Sequence, residues 1–292
     1  ATKMRKAQHV ALAARPYAVH ALGLLRRVSH KTEFAHWLLE QRSTRRIALI
    51  LVTSDKGLCG ILNHNVLRRL EEFIEERRDI VREGHCDFIS VGLYGARHLK
   101  RRGYAVIKEF AGIGDYAKLQ ESSPIADFLL TSWRDSIYDE VFCIYTDFVS
   151  TLRQTAVLRQ VLPLTKKALE EIAGGVSERI MDHPVSTLLG GSGIEEAKEE
   201  GARFFYEYKL EPSPEEVLET LLPALVRVRI HQIILESNAS EHSARMLAMK
   251  NASDNAKELL EELHLSFNKA RQASITREIA EITSGAAALE TV

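Results

Sequence analysis

The feature that most constrains this chain is an apolar series near its C-terminus, in which steps of three and four residues alternate. It runs through Leu218, Leu221, Leu225, Val228, Gln232, Leu235, Ala239, His242, Met246, Met249, Ser253, Ala256, Leu260, Leu263, Phe267 and Ala270. That spacing returns to one face of an α-helix every two turns and defines a coiled-coil seam. Upstream, Ser213-Pro214-Glu215-Glu216 supplies an N-cap, a proline at the first helical position and a glutamate three residues after the cap. Past Ala270 the stripe slips by one residue and continues through Ile275, Ile279, Ile282, Ala286 and Leu289. At about 1.5 Å per residue, Ser213 to Leu289 would span roughly 110 Å, longer than any single globular core. Pro223 is a local fault near the beginning. Gln232, His242 and Ser253 are polar seam positions, read as fixing register. No second ligand stands at helical spacing from His242, so no metal role is assigned to it.

A second series opens the chain: Met4, Ala7, Ala11, Ala14, Ala18, Ala21, Leu25 and Val28. Alanine at the seam lets two helix backbones approach closely, so that dispersion along the contact replaces bulky side chains. Pro16 should bend this helix, which is expected to end near Thr44. Two long helices at opposite ends of one chain pair antiparallel, with the residues between them as a separate lobe. The C-terminal helix is the longer, and its stripe at Ile275, Ile279, Ile282 and Leu289 needs enclosure by other chains.

The charge is polarised. Residues 1–46 hold ten Lys or Arg against Glu33 and Glu40, which leaves a balance of -9 over the rest of a chain whose net charge is -1. A basic arm of this kind suits an acidic partner or a solvated helix face. A mitochondrial transit peptide has similar composition, but this segment runs into a seam that needs a permanent partner and is read as mature structure.

Between the helices, apolar runs alternate with amphipathic ones. Ile47–Val52 is a β-branched strand, followed by the turn residues Ser54-Asp55-Lys56-Gly57 and a helix from about Asn63 to Glu83. Further strands are expected over Phe88–Leu93, Ala105–Ile107, Val141–Thr146, Thr155–Leu164 and Phe204–Leu210. Helices are expected over Arg97–Arg101 and Pro124–Tyr138. The alternation predicts a Rossmann-like, mostly parallel α/β lobe, with the Gly-rich stretch Gly174–Gly201 as a loop. The fold class is therefore α/β, a long antiparallel coiled coil of N- and C-terminal helices plus this lobe. The expected domains are 1–45, 46–212 and 213–292.

The lobe's motifs exclude more than they assign. Asp55-Lys56-Gly57-Leu58-Cys59-Gly60 stands where a phosphate loop would, yet matches neither GxGxxG nor GxxxxGK[ST], and Ala111-Gly112-Ile113-Gly114 fails in the same way. No second carboxylate or metal-ligand cluster accompanies Asp55, and no nucleophile–base order stands out among the 11 histidines. No catalytic, cofactor or metal site is read. Cys59, Cys86 and Cys143 form no CxxC pair or disulfide framework and are read as buried thiols of a reducing compartment. With 45% hydrophobic and 27% charged residues the composition is that of a globular protein, and no apolar run approaches the ~20 residues of a membrane-spanning helix.

The run Leu265-Ser266-Phe267-Asn268-Lys269-Ala270-Arg271-Gln272-Ala273-Ser274-Ile275-Thr276-Arg277-Glu278-Ile279-Ala280-Glu281-Ile282-Thr283-Ser284-Gly285-Ala286-Ala287-Ala288-Leu289 resembles the signature of the gamma subunit of F-type ATP synthase. Ala244-Arg245-Met246-Leu247-Ala248-Met249-Lys250-Asn251-Ala252-Ser253-Asp254-Asn255-Ala256, Val52 to Gly60, Lys3-Met4-Arg5-Lys6-Ala7-Gln8 and Arg15-Pro16-Tyr17 carry the resemblance further, in the same order. Residues 110–205 match mainly in layout. In the family a further basic helical segment precedes Lys3, so the resemblance implies an N-terminally shortened chain. The long cysteine-bearing insertion of the plastid form is absent, so thiol switching does not carry over to these cysteines.

The resemblance implies a rotor shaft with no active site of its own. It would turn inside a ring of alternating alpha and beta subunits, stand on the membrane c-ring beside the epsilon subunit, couple proton translocation to ATP synthesis or hydrolysis, and regulate ATPase activity. Arg271, Gln272, Thr276 and Glu278 match positions that contact beta near the shaft tip, and Arg245 and Glu281 match rotor-coupling positions. Ile275, Ile279, Ile282 and Leu289 would form the apolar bearing. Lys3, Arg5 and Lys6 would face acidic loops of beta, and Tyr208 and Glu211 the epsilon and c-ring side. The expected location is peripheral, on the cytoplasmic face of a bacterial membrane or the matrix side of the mitochondrial inner membrane. A basic coiled-coil protein binding nucleic acid is the alternative, disfavoured by the lack of interleaved aromatics for base stacking. A nucleotide-dependent enzyme is disfavoured by the missing phosphate motif.

Overall fold

Ile47–Val52 lies at the middle of the sheet with every residue buried, as a strand covered on both faces should be. The computed structural model describes residues 36–114, 118–164 and 213–290. In chain order the elements are β1 (Ile47–Val52), α1 (Leu62–Glu76), α2 (Arg78–Arg82), β2 (Cys86–Val91), α3 (Leu93–Arg101), β3 (Val106–Phe110), α4 (Leu119–Arg134), β4 (Glu140–Phe148), β5 (Gln154–Leu162) and α5 (Pro214–Glu290). The strands are ordered β3-β2-β1-β4-β5; the first three pairings are parallel and β4 with β5 is antiparallel. The mostly parallel lobe expected from the alternation of strands and helices is therefore present.

The two faces of the sheet are covered by different helices. Ile47, Leu49, Leu51, Phe88, Phe142 and Ile144 pack against Val66, Leu70 and Phe73 of α1 and Leu99 of α3. Ala48, Ile50, Ile89, Val91, Val141, Cys143 and Tyr145 face α4, through Ile125, Leu129 and Trp133, and the first turns of α5. The chain divides into two compact units, 1–246 and 247–292. In the first, α5 buries Leu218, Leu222, Leu225, Val226, Ile230, Ile233, Ile234, Leu235 and Ala239. In the second, residues 249–285 are exposed throughout. The seam reading missed the sheet-facing residues Leu222, Val226, Ile230 and Ile233. A stretch apolar on more than one face, as Leu221 to Leu235 is, belongs to a core helix rather than to a two-helix seam.

Ser213 caps α5 as expected: its Oγ accepts from the Glu216 amide at 3.2 Å, and Pro223 is carried inside the helix. Other boundaries move. The helix expected to reach Glu83 breaks at Arg77, whose guanidinium sits 5.1 Å from the Phe142 ring centre and donates to Glu140 at 3.1 Å. Those contacts hold the chain at the sheet and stop the helix about two turns early. The helix expected from Pro124 starts at Leu119, because Glu121 Oε2 accepts from the Lys118 amide at 3.2 Å and caps it.

The N-terminal helix was expected to reach Thr44, and here the structure differs. Trp37–Leu39 is a turn and the chain is irregular to Arg46. Tertiary bonds outcompete the helix. Leu38 is fully buried, the Arg45 and Arg46 amides donate to Asp139 Oδ2 at 2.8 and 2.9 Å, and Arg42 Nη1 donates to the Trp133 carbonyl at 3.0 Å. The partner seam from Met4 to Val28, the bend at Pro16, the Gly174–Gly201 loop and the Phe204–Leu210 strand lie outside the described residues.

Candidate functional site

Two places carry polar groups set in place by the fold: the carboxyl edge of the sheet with the stretch of α5 beside it, and the exposed C-terminal part of α5.

At the carboxyl edge, the close approach of β1 and β2 dictates the sequence. Thr53 N donates to the Val91 carbonyl at 2.8 Å, and Gly92 follows with φ +95°. A Cβ on Gly92 would lie 2.0 Å from the Thr53 carbonyl oxygen, so no other residue fits. The turn after β1 is tied from within: Asn63 Nδ2 donates to Ser54 Oγ at 2.6 Å, and Ser54 Oγ donates to the Lys56 carbonyl at 2.6 Å. Asp55 uses both oxygens on backbone amides, Oδ1 on Leu93 N at 3.0 Å and Oδ2 on Gly112 N at 2.9 Å. A carboxylate held this way is a tie between loops. Among the described residues no group of His, Cys, Asp and Glu could hold a metal ion.

On α5, Arg245 Nη2 pairs with Glu241 Oε1 at 2.5 Å, one turn earlier, and lies 3.4 Å from the Gly57 carbonyl oxygen. The fold thus joins Arg245, which the sequence singled out, to the turn after β1, which it read only as structural. The signal available for the partner was the i, i+4 spacing of Glu241 and Arg245. His231, farther back on α5, has Nδ1 3.0 Å from Ser122 Oγ of α4; burial lowers its pKa from 6.5, partly offset by Glu121. The three cysteines are buried and free, and burial, followed by the Asp87 charge, pushes the Cys86 thiol up to about 12. Such thiols are poor nucleophiles.

The C-terminal part of α5 is regular helix through Glu290. With 3.6 residues per turn, Arg271, Ile275 and Ile282 fall within about 40° of one another, Glu278 sits on the same side, and Gln272 and Thr276 lie roughly 100° and 140° round from Arg271. Ile275 is 48% exposed, Ile279 55% and Ile282 71%. Ser274 Oγ lies 3.5 Å from Glu278 Oε1, and Thr283 Oγ1 donates to the Ile279 carbonyl at 2.9 Å. Among the described residues, no ion pair engages Arg271 or Glu281. Leu289 falls within the same helix. Lys3, Arg5, Lys6, Tyr208 and Glu211 lie outside the described residues.

A family model described as ATP synthase matches residues 1–289. The ATP synthase gamma chain of Chloroflexus aurantiacus is 40% identical over 99% of this chain and 90% of its own length.

The chain belongs to the ATP synthase gamma-chain family.

The gamma chain of Pelotomaculum thermopropionicum is 38% identical over the same shares of the two chains, 99% and 90%. Among solved structures, a chain of the Tetrahymena thermophila mitochondrial ATP synthase central stalk and c-ring has a TM-score of 0.57 at 21% identity, covering 86% of this chain and 95% of that one. A chain of the Euglena gracilis mitochondrial ATP synthase in rotational state 3 has a TM-score of 0.56 at 16% identity, covering 99% and 92%. At these identities the likeness is one of fold. Among the described residues, no helix is long and apolar enough to cross a membrane.

Proposed function

We propose that this chain is the central-stalk rotor subunit of an ATP synthase, passing rotation of a membrane ring to a catalytic ring of alpha and beta subunits. The observation that carries the reading is an exposed apolar stripe, Ile275, Ile279 and Ile282, on a helix of 77 residues. An apolar face of this kind in water favours enclosure, and apolar contact lacks the directional bonds that would lock a shaft at one angle. Arg271, Gln272, Thr276 and Glu278 are the polar groups positioned to engage beta as the shaft turns; Glu281 and Arg245 take part in coupling. Lys3, Arg5 and Lys6 would meet acidic beta loops, where complementary charge steers without rigid docking. Tyr208 and Glu211 would stand toward the epsilon subunit and the c-ring.

The chain works without catalysing. Asp55, at the sheet's carboxyl edge, has both oxygens engaged by backbone amides. Its mechanism is selection among conformations: each angle of an asymmetric shaft favours a different state of each catalytic partner, and the partners' nucleotide affinities follow. Its place is peripheral, at the cytoplasmic face of a bacterial membrane or the matrix side of the mitochondrial inner membrane. Affinity purification of the tagged chain from its native cells tests this. Alpha and beta subunits in threefold excess, with epsilon and c subunits, are expected; recovery of the chain alone would overturn it.

A further inference from the structure

Asp55 bridges three strand ends at once. It follows β1, its Oδ1 takes the first amide of α3 just after β2, and its Oδ2 takes the Gly112 amide just after β3. The turn it belongs to is fixed at the other side by Asn63, through Ser54. That turn presents the Gly57 carbonyl to Arg245 of α5. Along α5, apolar burial in the core stops at Ala239. From there on, Ser240 Oγ donates to the Thr146 carbonyl at 3.3 Å and Arg245 to Gly57.

We propose that Asp55 is a positioning residue for the shaft. By locking the turn at residues 54–61, it gives Arg245 a fixed carbonyl to grip and stiffens α5 against twisting about its own axis. The guanidinium is held at the correct height by Glu241, so the brace runs from Glu241 through Arg245 and Gly57 to Asp55, and from there into β2 and β3. A charged donor on a neutral carbonyl is a stronger tie than the hydroxyl of Ser240. It works only if the carbonyl does not move, and that is what Asp55 provides. The inference rests on the rotor reading given above.

The test is made on the ATP synthase assembled with this chain, held through its beta subunits, with a gold particle on the lobe. The angular variance of the particle during a pause is inversely proportional to the torsional stiffness of the shaft. Loss of the Arg245 tie lowers that stiffness and so raises the variance. Asp55→Asn and Arg245→Ala are each expected to do so. Leu93→Pro should match them, because it deletes the donor to Asp55 at the first position of a helix, where proline fits, and it serves where Asp55→Asn does not fold. Asp55→Asn combined with Arg245→Ala should add nothing to Arg245→Ala alone, since both act through one turn. Unchanged variance in Asp55→Asn and Leu93→Pro, or a further increase in the double variant, overturns the proposal. Failure of the unsubstituted chain to assemble with alpha and beta subunits overturns the rotor reading instead.

Discussion

Terminating the chain after Ala270 separates the two jobs of α5, because its buried and exposed parts are consecutive in sequence. Residues 271–285, the described side chains that the deletion removes, are all exposed. The lobe should keep its stability to within about 0.5 kcal/mol, as for surface changes generally. The deleted stripe carries the binding effect. Full burial of an isoleucine is worth about 1.5–3 kcal/mol, and Ile275, Ile279 and Ile282 have 48%, 55% and 71% of their surface open to a sleeve. Together they offer roughly 2.5–5 kcal/mol, which corresponds to assembly weakened by about a hundredfold to several thousandfold. Urea unfolding of the full and shortened chains measures the first quantity, and titration of each onto alpha–beta rings measures the second. A lobe destabilised by more than about 1 kcal/mol, or a shortened chain that assembles as tightly as the full one, refutes the reasoning. Leu222→Ala is the opposite control: the residue is fully buried, and the loss should be about 2–5 kcal/mol of lobe stability.

Gly92→Ala should cost at least about 3 kcal/mol or prevent folding, because its Cβ meets a backbone oxygen that cannot yield; circular dichroism melting checks this. Arg42→Ala should lower lobe stability by about 2 kcal/mol, since its guanidinium caps the carbonyl end of α4 at Trp133 and lies 4.6 Å from that ring's centre; Arg42→Lys should recover only part of it. Acidification from pH 7 toward 5 should destabilise the lobe partly through His231. Its folded pKa is lowered below 6.5, so the unfolded chain takes up the proton first, and stability falls as pH drops below 6.5 and stops falling below the folded value. His231→Gln should flatten that part of the profile in a pH series of urea midpoints.

Much of the architecture was legible because its signals are local. A strand buried on both faces reads as a continuous apolar run, and Ile47–Val52 has the expected bounds. A long helix reads by its period and its cap, and α5 begins at Pro214 after Ser213. Where local signals met a tertiary contact, the contact decided. Arg77 ends a helix in mid-pattern for the sake of Phe142 and Glu140, and residues 36–46, where a helix was expected, are irregular and bonded to Asp139 and Trp133.

By itself, then, the sequence determined where β1 and the long C-terminal helix lie and which family the chain belongs with, since periodicity and motif are properties of neighbours along the chain. Only the tertiary structure decided that α5 is a core helix as far as Ala239, and that the turn after β1 is tied to α5. It alone showed Asp55 to be a tie between loops. Those outcomes depend on groups 38, 57 and 188 positions apart, and no spacing rule reaches across such distances; the bonds exist because the sheet brings its strand ends together.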